Sequence, residues 1–523
     1  MKKLRRNLMS GLFLFIFLIL LEIATIVFLQ AFLEVLFEYL SISEKWTMFV
    51  WGGIKVIGAI IVLVLYHKIL NRQEDPEFKI AWLIGLIALP FFVLFLYIIF
   101  GKRGISVKEK RVIDVSRATY VPYLKNQHKI NHDKDENVGR GLGALNYLRS
   151  SSGMDYHSHN KVTYFKNGEA FFPDLIEKLK EAKEFIFIEF FIVTDGQEWS
   201  AVKEILIEKA KQGVEVRMVY DDLGSSGTIS PRTPKILGKY GIKCYKFHPF
   251  RPFLHRSYNN RTHRKIVVID HTYGYTGGMN LADEYANIGS KFGYWKDTMV
   301  RIEGSAITNL ITTFLQNFDL CTKTPSDYNK YLDFEYPKFK DEGFITPFGD
   351  GPGGIDDHLI GEQNYINILN YATKRVDIST PYLIPTFKLL DAMKNAALRG
   401  VEVNLILPGI PDKKLVYAIA KSNLPFLLQA GVNVYFYTPG FNHMKSALAD
   451  DELGFVGTIN FDFRSLVHHF ECGATLYKVP CIKEIRADFD EMLSVSQKVP
   501  QDFRLRLFGR FICAILKLFF PLF

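Results

Sequence analysis

The sequence predicts a duplicated α/β fold carried behind an apolar, helical N-terminal region. Three observations predict it. The first hundred residues hold three apolar runs divided by charged loops. From about Lys161 onward, short runs of β-branched and aromatic residues alternate with helix-like stretches. One pattern of polar residues also occurs twice at the same internal spacing, in "THRKIVVIDHTYGYTGGMN" (262–280) and in "NHMKSALADDELGFVGTIN" (442–460).

The apolar runs are residues 8–33, with Glu22 inside, 48–66, with Lys55 inside, and 80–100, uncharged, with Pro90 inside. Each is near the roughly 20 residues that cross a bilayer. Three in a row favour membrane insertion over buried core helices. The basic start "MKKLRR" and the basic "GKRGISVKEKRV" after the third run both favour the cytoplasmic side. Three full crossings cannot place both there. The first run is the expected non-spanner, re-entrant or interfacial, because Glu22 at mid-membrane costs a few kcal/mol. The longer stem of Lys55 reaches the interface more easily. Multi-pass insertion with the rest of the chain in the cytoplasm is therefore the expectation. The five cysteines (244, 321, 472, 481, 513) form no CxxC and imply neither a disulfide framework nor a zinc site. A net charge of +9 suits an acidic partner without separating nucleic acid from anionic lipid.

The α/β part begins with "EFIFIEFFIV", a buried strand by composition, followed by the helix-like "WSAVKEILIEKAKQG" and a second strand, "VEVRMVYDD". The second half retraces the first. "RVDISTPYLIPT" parallels "EFIFIEFFIVTD", and Gly-Val-Glu-Val recurs intact in "AKQGVEVRMVYDD" and "ALRGVEVNLILPG". The expected organisation is a membrane region of two or three helices (1–103), a linker (104–160), two similar domains (161–335 and 336–500) and a tail (501–523). The tail "FRLRLFGRFICAILKLFFPLF" alternates cationic with bulky apolar residues and is expected to lie at a membrane interface.

Within each repeat, His263 and Lys265, like His443 and Lys445, fall on one face of an extended segment. A glycine turn then brings Asn280 or Asn460 back to the pair. An imidazole, an ammonium and a carboxamide suit a phosphoryl group. Two such sets suit a two-step displacement: one histidine attacks phosphorus while the other protonates the leaving alkoxide, then deprotonates the incoming hydroxyl. Each histidine needs an acceptor that fixes its tautomer. Asp297 and Glu471 are the candidates, each in the strand-like segment after its motif, with Glu284 a weaker alternative. Asp270 and Asp450 complete the motif and are carried with the catalytic set, with binding of backbone or the neighbouring turn as their other reading. No metal and no cofactor is called for, since no ligand cluster has a recognised spacing.

At these residues the chain resembles the phospholipase D superfamily, whose signature is His-x-Lys-x4-Asp with a trailing Gly-Gly/Ser/Thr-x-Asn. Within it the chain is similar to the bacterial cardiolipin synthases, through "IEFFIVTDG", "NNRTHRKIVVIDHTYGYTGGMNLADEY", "YWKDTMVRIEG", "LPGIPDKKLVYAIAKS" and "YTPGFNHMKSALADDELGFVGTINFDFRS". The resemblance implies two phospholipase D-like α/β sandwich domains about a pseudo-two-fold axis with one active site between them. It implies fusion of two phosphatidylglycerol molecules into cardiolipin with release of glycerol. The partners it implies are phosphatidylglycerol and an anionic bilayer, in a bacterial plasma membrane. Two spans are commoner in the family than three.

Other readings are a membrane-bound hydrolase with water as acceptor, a nuclease, and a non-catalytic scaffold. A nuclease has no need of apolar spans and is expected to show a basic groove with stacking aromatics; no nucleic-acid partner is expected. Complete motifs in both halves argue against a scaffold. Asp155, His157 and His159 in "DYHSHN" lack a further ligand and are expected to be solvated loop. His468 and His469 could line the cleft but are expected to be structural. "PFGDGPGG" (347–354) resembles a family turn and alone is only a loop.

Overall fold

The computed structural model describes residues 20–519, except 21, 25, 29, 41–42, 73–75, 102–103, 132–138, 251–258, 290 and 353–358. The chain divides into two compact units, residues 1–102 with 515–523, and residues 103–514.

In the first unit, most of the first apolar run lies outside the described residues. The second forms the helix Glu44–Leu70. Its segment Met48–Leu70 is the one helix, among the described residues, long and apolar enough to cross a membrane. The third run corrects the sequence reading. It is not a continuous span but two helices, Pro76–Ala88 and Pro90–Phe100, of 13 and 11 residues. At 1.5 Å per residue each reaches only about 20 Å or less. The break is at Leu89, at φ −143° and ψ 68°, because the ring of Pro90 drives the preceding residue out of the α region. The two helices fold onto each other: Trp82 and Tyr97 meet edge to face at 5.1 Å, and Gly85 lies under Val93.

In the second unit, the expected strand–helix alternation builds two sheets. The first half supplies β1 (Lys161–Phe165), β2 (Phe185–Phe190), β3 (Glu215–Asp221), β4 (Lys243–Phe247), β5 (Ile266–Ile269), β6 (Tyr273–Gly277), β7 (Tyr294–Lys296) and β8 (Met299–Glu303). The second supplies β9 (Phe344–Asp350), β10 (Arg375–Ser379), β11 (Leu383–Ile384), β12 (Glu402–Pro408), β13 (Asn433–Tyr437), β14 (Gly440–Asn442), β15 (Ser446–Ala449), β16 (Leu453–Gly457), β17 (Phe461–Asp462), β18 (Glu471–Tyr477) and β19 (Ser496–Lys498). The sheet orders are β1-β8-β6-β5-β2-β3-β4 and β9-β18-β16-β15-β10-β12-β13-β19. They are the same permutation, with β19 added at one edge. In each, three parallel strands (β2-β3-β4, β10-β12-β13) continue into an antiparallel meander. The central strands are buried on both faces, which explains runs such as "FIFIEF" with no polar alternation.

The helix Ile307–Thr322 packs on β2, β5 and β6 and against β9 of the other half. Phe187 stacks on its Phe314 at 4.8 Å. It is buried almost throughout, so the halves share one interior. Residues 104–160, expected as a linker, instead carry the helices Val107–Asn131 and Leu142–Ser152. The first is tied to the shared helix by Ser116 Oγ donating to Asp319 Oδ2 at 2.7 Å. His157 is not solvated either. It is 2% exposed, its ring lies 3.1 Å from Ser305 Oγ and 3.3 Å from Asn309 Oδ1, and it bridges to Ile345 at the start of β9. The loop after β9, with Gly353 and Gly354, lies partly outside the described residues.

Candidate active site

Because β5 runs antiparallel to β2, the start of β5 lies beside the carboxyl ends of β2 and β3. The segment 260–265 is held there by buried charge. Asp221, at the end of β3, accepts from Arg261 Nε and Nη2 and from Thr262 N at 2.7–3.0 Å. Arg264, between the two motif residues, points the other way and donates to the carbonyls of Glu471, Thr313 and Asp350 at 2.8–3.1 Å. One guanidinium thereby fixes the shared helix and two strands of the opposite half.

Each half then reaches across to the other by short parallel pairing. β7 pairs with β14, and Thr262 bridges Phe470. His443 N donates to Lys296 O and His263 N to Phe470 O, both at 2.8 Å. This pairing sets each histidine beside the acid that follows the other motif. His263 Nδ1 is 2.9 Å from Glu471 Oε2, and His443 Nδ1 is 2.6 Å from Asp297 Oδ2. The two acids expected from sequence are therefore the partners, but the pairing crosses between halves. Glu284 is not the partner of either ring. With Nδ1 engaged, Nε2 of each histidine is left for chemistry.

The supports of the two acids differ. Glu471 accepts from the hydroxyls of Thr458 and Ser465. Asp297 sits against Gly278, where a Cβ would come within 1.9 Å of Asp297 Oδ1. That close approach is what the second glycine of the first motif provides; Thr458 stands at the matching position in the second. Each lysine donates to the carbonyl of its own histidine, and Lys445 Nζ lies in addition 3.3 Å from Asp297 Oδ2 and 2.6 Å from His443 Nδ1.

His263, Lys265, His443, Lys445, Asp297 and Glu471 are all buried. Burial pushes His443 down to about 4, with Lys445 adding to the effect. Burial and the lysines Lys265 and Lys445 push His263 well below the ordinary histidine value. Both shifts favour the neutral imidazole. Burial also lowers Lys265 to about 7 and Lys445 to about 8. For Asp297 burial acts upward, but Lys445 and His443 outweigh it and hold the carboxyl below its usual range. A phosphate diester entering the site favours the protonated lysines, and the lowered values place that gain near neutral pH.

Asn280 is nearby but occupied: Oδ1 accepts from Ile192 N at 3.0 Å and Nδ2 donates to Tyr285 Oη at 2.6 Å. The buried Asn460 has no hydrogen-bond partner for Oδ1. Asp270 and Asp450 are not beside the histidines. Asp270 accepts from the amides of Lys183, Glu184 and Phe185 at 2.8–2.9 Å, Asp450 from those of Thr373, Lys374 and Arg375 at 2.8–3.0 Å. Each caps the start of a central strand from the far end of its own. This geometry fits the backbone-binding reading of the pair.

Several neighbours were not singled out from sequence, or were read otherwise. Phe191 packs on His263 at 5.1 Å, and Trp295 and Tyr285 on His443 at 5.6 and 5.5 Å. His469, expected to be structural, lies 5.6 Å from His263, ring to ring. Strand alternation carries the signal: Trp295 and His469 each stand two residues before the orienting acid and share its face. His263, His469 and Glu471 also bring three ligand atoms within 4.8 Å of one another, a cluster invisible in sequence because His263 stands about 200 residues before the other two.

The cardiolipin synthase, phospholipase D-like domain family matches residues 175–318 and 365–493, and the phospholipase D–nuclease N-terminal family matches 56–102. A cardiolipin synthase of Alkalihalophilus pseudofirmus is 32% identical over 90% of this chain and 93% of its own. One of Staphylococcus aureus is 31% identical over 88% and 94%. An uncharacterised protein of Streptococcus mutans is 40% identical over 89% and 100%. The crystal structure of a phosphatidylserine synthase of Haemophilus influenzae superposes with a TM-score of 0.54 at 14% identity, over 73% of this chain and 97% of that one. That likeness concerns the fold.

Proposed function

Since the chain belongs to the bacterial cardiolipin synthases of the phospholipase D superfamily, we propose how this phosphatidyltransferase works and on what. Nε2 of one histidine attacks the phosphorus of phosphatidylglycerol. A phosphatidyl-histidine forms and glycerol leaves with the Nε2 proton of the other histidine, which takes part as the imidazolium, favoured by the carboxylate at its Nδ1 and by the diester's charge. That histidine, now neutral, takes the proton of a hydroxyl on a second phosphatidylglycerol. The resulting alkoxide attacks phosphorus, giving cardiolipin and regenerating the first histidine. Lys265 and Lys445 carry the charge of the non-bridging oxygens, with Asn280 and Asn460 close by. Asp297 and Glu471 hold the ring tautomers. Asp270 and Asp450 hold the strands.

The observation that carries this reading is the crossed pairing of each histidine with an acid of the opposite half. The test is purified protein with phosphatidylglycerol in excess EDTA. Cardiolipin and glycerol are expected. Phosphatidic acid and glycerol instead would make water the acceptor, and loss of all activity restored by one divalent ion would refute a metal-free reaction.

We further propose that residues 103–514 face the cytoplasm, and that the helix Leu507–Phe519 lies on an anionic membrane surface. Arg504, Arg506 and Arg510 accompany Leu507 and Phe511, which are 80% and 65% exposed. An impermeant thiol reagent on intact cells is expected to miss a cysteine placed at exposed Lys338 and to label it after permeabilisation. Labelling of intact cells would reverse the orientation.

A further inference from the structure

The two halves treat the back of their histidines differently. Behind His443, Lys445 Nζ stands 2.6 Å from Nδ1 and 3.3 Å from Asp297 Oδ2, and fills the space with an ammonium. The residue two before Asp297 is Trp295, which has no metal-binding atom. Lys265 Nζ, like Lys445, bonds the carbonyl of its own histidine, but it makes no hydrogen bond to the His263 ring or to Glu471. The residue two before Glu471 is His469. Its Nδ1 is buried and without a hydrogen-bond partner. It lies 3.6 Å from Glu471 Oε1, while His263 Nδ1 lies 2.9 Å from Glu471 Oε2. The three ligand atoms fall within 4.8 Å of one another. Zinc bonds to nitrogen and oxygen of roughly 2.0–2.1 Å put the corners of a tetrahedron about 3.3 Å apart, and these two separations, each to a different oxygen of Glu471, lie within about 0.4 Å of that. Two imidazoles and one carboxylate, with a fourth position open, are a zinc donor set. Thr458 and Ser465 already fix the carboxylate.

We infer that this half is an inhibitory site for an imidazole-seeking divalent ion such as zinc, held by His263, His469 and Glu471. The ion takes the Nδ1 lone pair of His263. The single ring proton of neutral His263, otherwise on Nδ1 toward Glu471, then resides on Nε2. No proton is released; the ring changes tautomer. Nε2 loses the lone pair it would turn on phosphorus or on a hydroxyl proton. The inhibition rests on the role proposed above for His263; the binding does not. Lys265 and Lys445 oppose a cation here, so the ion is held loosely enough for EDTA to remove it.

The test uses purified full-length protein stripped with EDTA and dialysed against zinc chloride. One zinc ion retained per chain is expected, with phosphatidylglycerol conversion falling at least about tenfold and returning with EDTA. His469→Asn is expected to keep its metal-free activity, to retain no zinc, and to raise the half-inhibiting zinc concentration at least about tenfold. Equal zinc retention by parent and variant, or none by the parent, overturns the site. Zinc retained without inhibition overturns the inhibitory role while leaving the site standing. If His469→Asn does not fold, cobalt in the parent decides: strong visible absorption marks tetrahedral coordination, and a weak six-coordinate spectrum overturns the assignment. A protein that binds zinc but makes no cardiolipin even without metal contradicts the proposed reaction, not the site.

Discussion

The two halves of the active site share a backbone plan and differ in how they support it. Both present a histidine at the start of the strand next to β2 or β10, in both its backbone N–H donates at 2.8 Å to a carbonyl of the facing half, and both borrow an acid from that half. Yet Asp297 is short, pressed against Gly278 and shared between His443 and Lys445. Glu471 is longer, held by two hydroxyls and accompanied by His469. Duplication has preserved the positions of the reacting nitrogens and let their surroundings diverge. A two-step transfer asks for that: one ring stays bonded to phosphorus while the other moves protons.

The harshest way to break the comparison is to remove either ring. His263→Ala and His443→Ala are each expected to lower cardiolipin formation by at least ~10³-fold while leaving the circular dichroism spectrum and Tm near the parent's, because neither ring can substitute for the other. A folded single variant retaining a tenth of the parent rate would end the two-histidine scheme.

The orienting acids are expected to come next, and unequally. Asp297→Asn removes the charge that His443 and Lys445 share, whereas the amide of Glu471→Gln is still positioned by Thr458 and Ser465. We expect a loss of roughly 10²-fold or more for the first and a smaller one for the second. Equal losses would mean that the differing supports have no catalytic consequence.

The lysines add a pH signature. Folded Lys265 and Lys445 titrate at about 7 and about 8, below the ~10.4 of a free lysine. The ammonium form is the one that matches phosphate, so kcat/KM is expected to fall as pH rises through 7 to 8. His443, at about 4, stays neutral over this range. Stability moves the other way. Between those values and about 10 the unfolded chain binds more protons than the folded one, so the pair's contribution to stability rises with pH. An alkaline activity loss tracking a fall in Tm would assign it to unfolding instead.

Position 278 sharpens the contrast at lower cost. An added methyl in Gly278→Ala meets Asp297 Oδ1 at 1.9 Å, and overpacking of this kind costs about 1–3 kcal/mol. The expected loss of rate is about tenfold if the carboxylate shifts. Thr458→Ala at the matching position removes one of several bonds to Glu471 and is expected to cost less than that.

Much of this was legible in sequence, for a physical reason. Strands buried on both faces read as continuous apolar runs, so β2, β3, β10 and β12 could be taken from "FIFIEF" or "EVNLILP" and their repetition. The motif spacing likewise marked His263, Lys265, His443 and Lys445. What could not be read is what depends on the other half. That Asp297 serves His443 and Glu471 serves His263 follows from pairing of β7 with β14 and of Thr262 with Phe470, short contacts with no local pattern. His469 reaches the site by the same route. Residues 104–160 looked like a linker because their apolar residues are sparse; burial of Tyr120, Leu145 and Leu148 against the shared interior is a tertiary event. The split of residues 80–100 was signalled by Pro90, but composition alone gave the run the look of a span.

The smallest expected effect on activity belongs to the motif residue whose spacing most invites a catalytic reading. Asp450 accepts three backbone amides and the Thr373 hydroxyl. Burial acts to raise its pKa, and those bonds outweigh it and hold the carboxyl below the usual range. Its contribution to stability is therefore present above the unfolded value near 3.9 and is lost as pH falls through the folded one. Its backbone is left-handed, at φ 51°, a conformation asparagine also tolerates. Asp450→Asn thus removes the charge with little backbone penalty. The loss of charge-assisted acceptance is expected to lower stability at pH 7 by about 1–3 kcal/mol, read as a drop in Tm that shrinks toward acid pH. Rate per folded molecule should stay within about threefold of the parent, since the carboxylate contacts neither histidine nor lysine of the site. A loss of rate comparable to that of His443→Ala, in a variant of unchanged Tm, would restore Asp450 to the chemistry and with it the catalytic reading of Asp270.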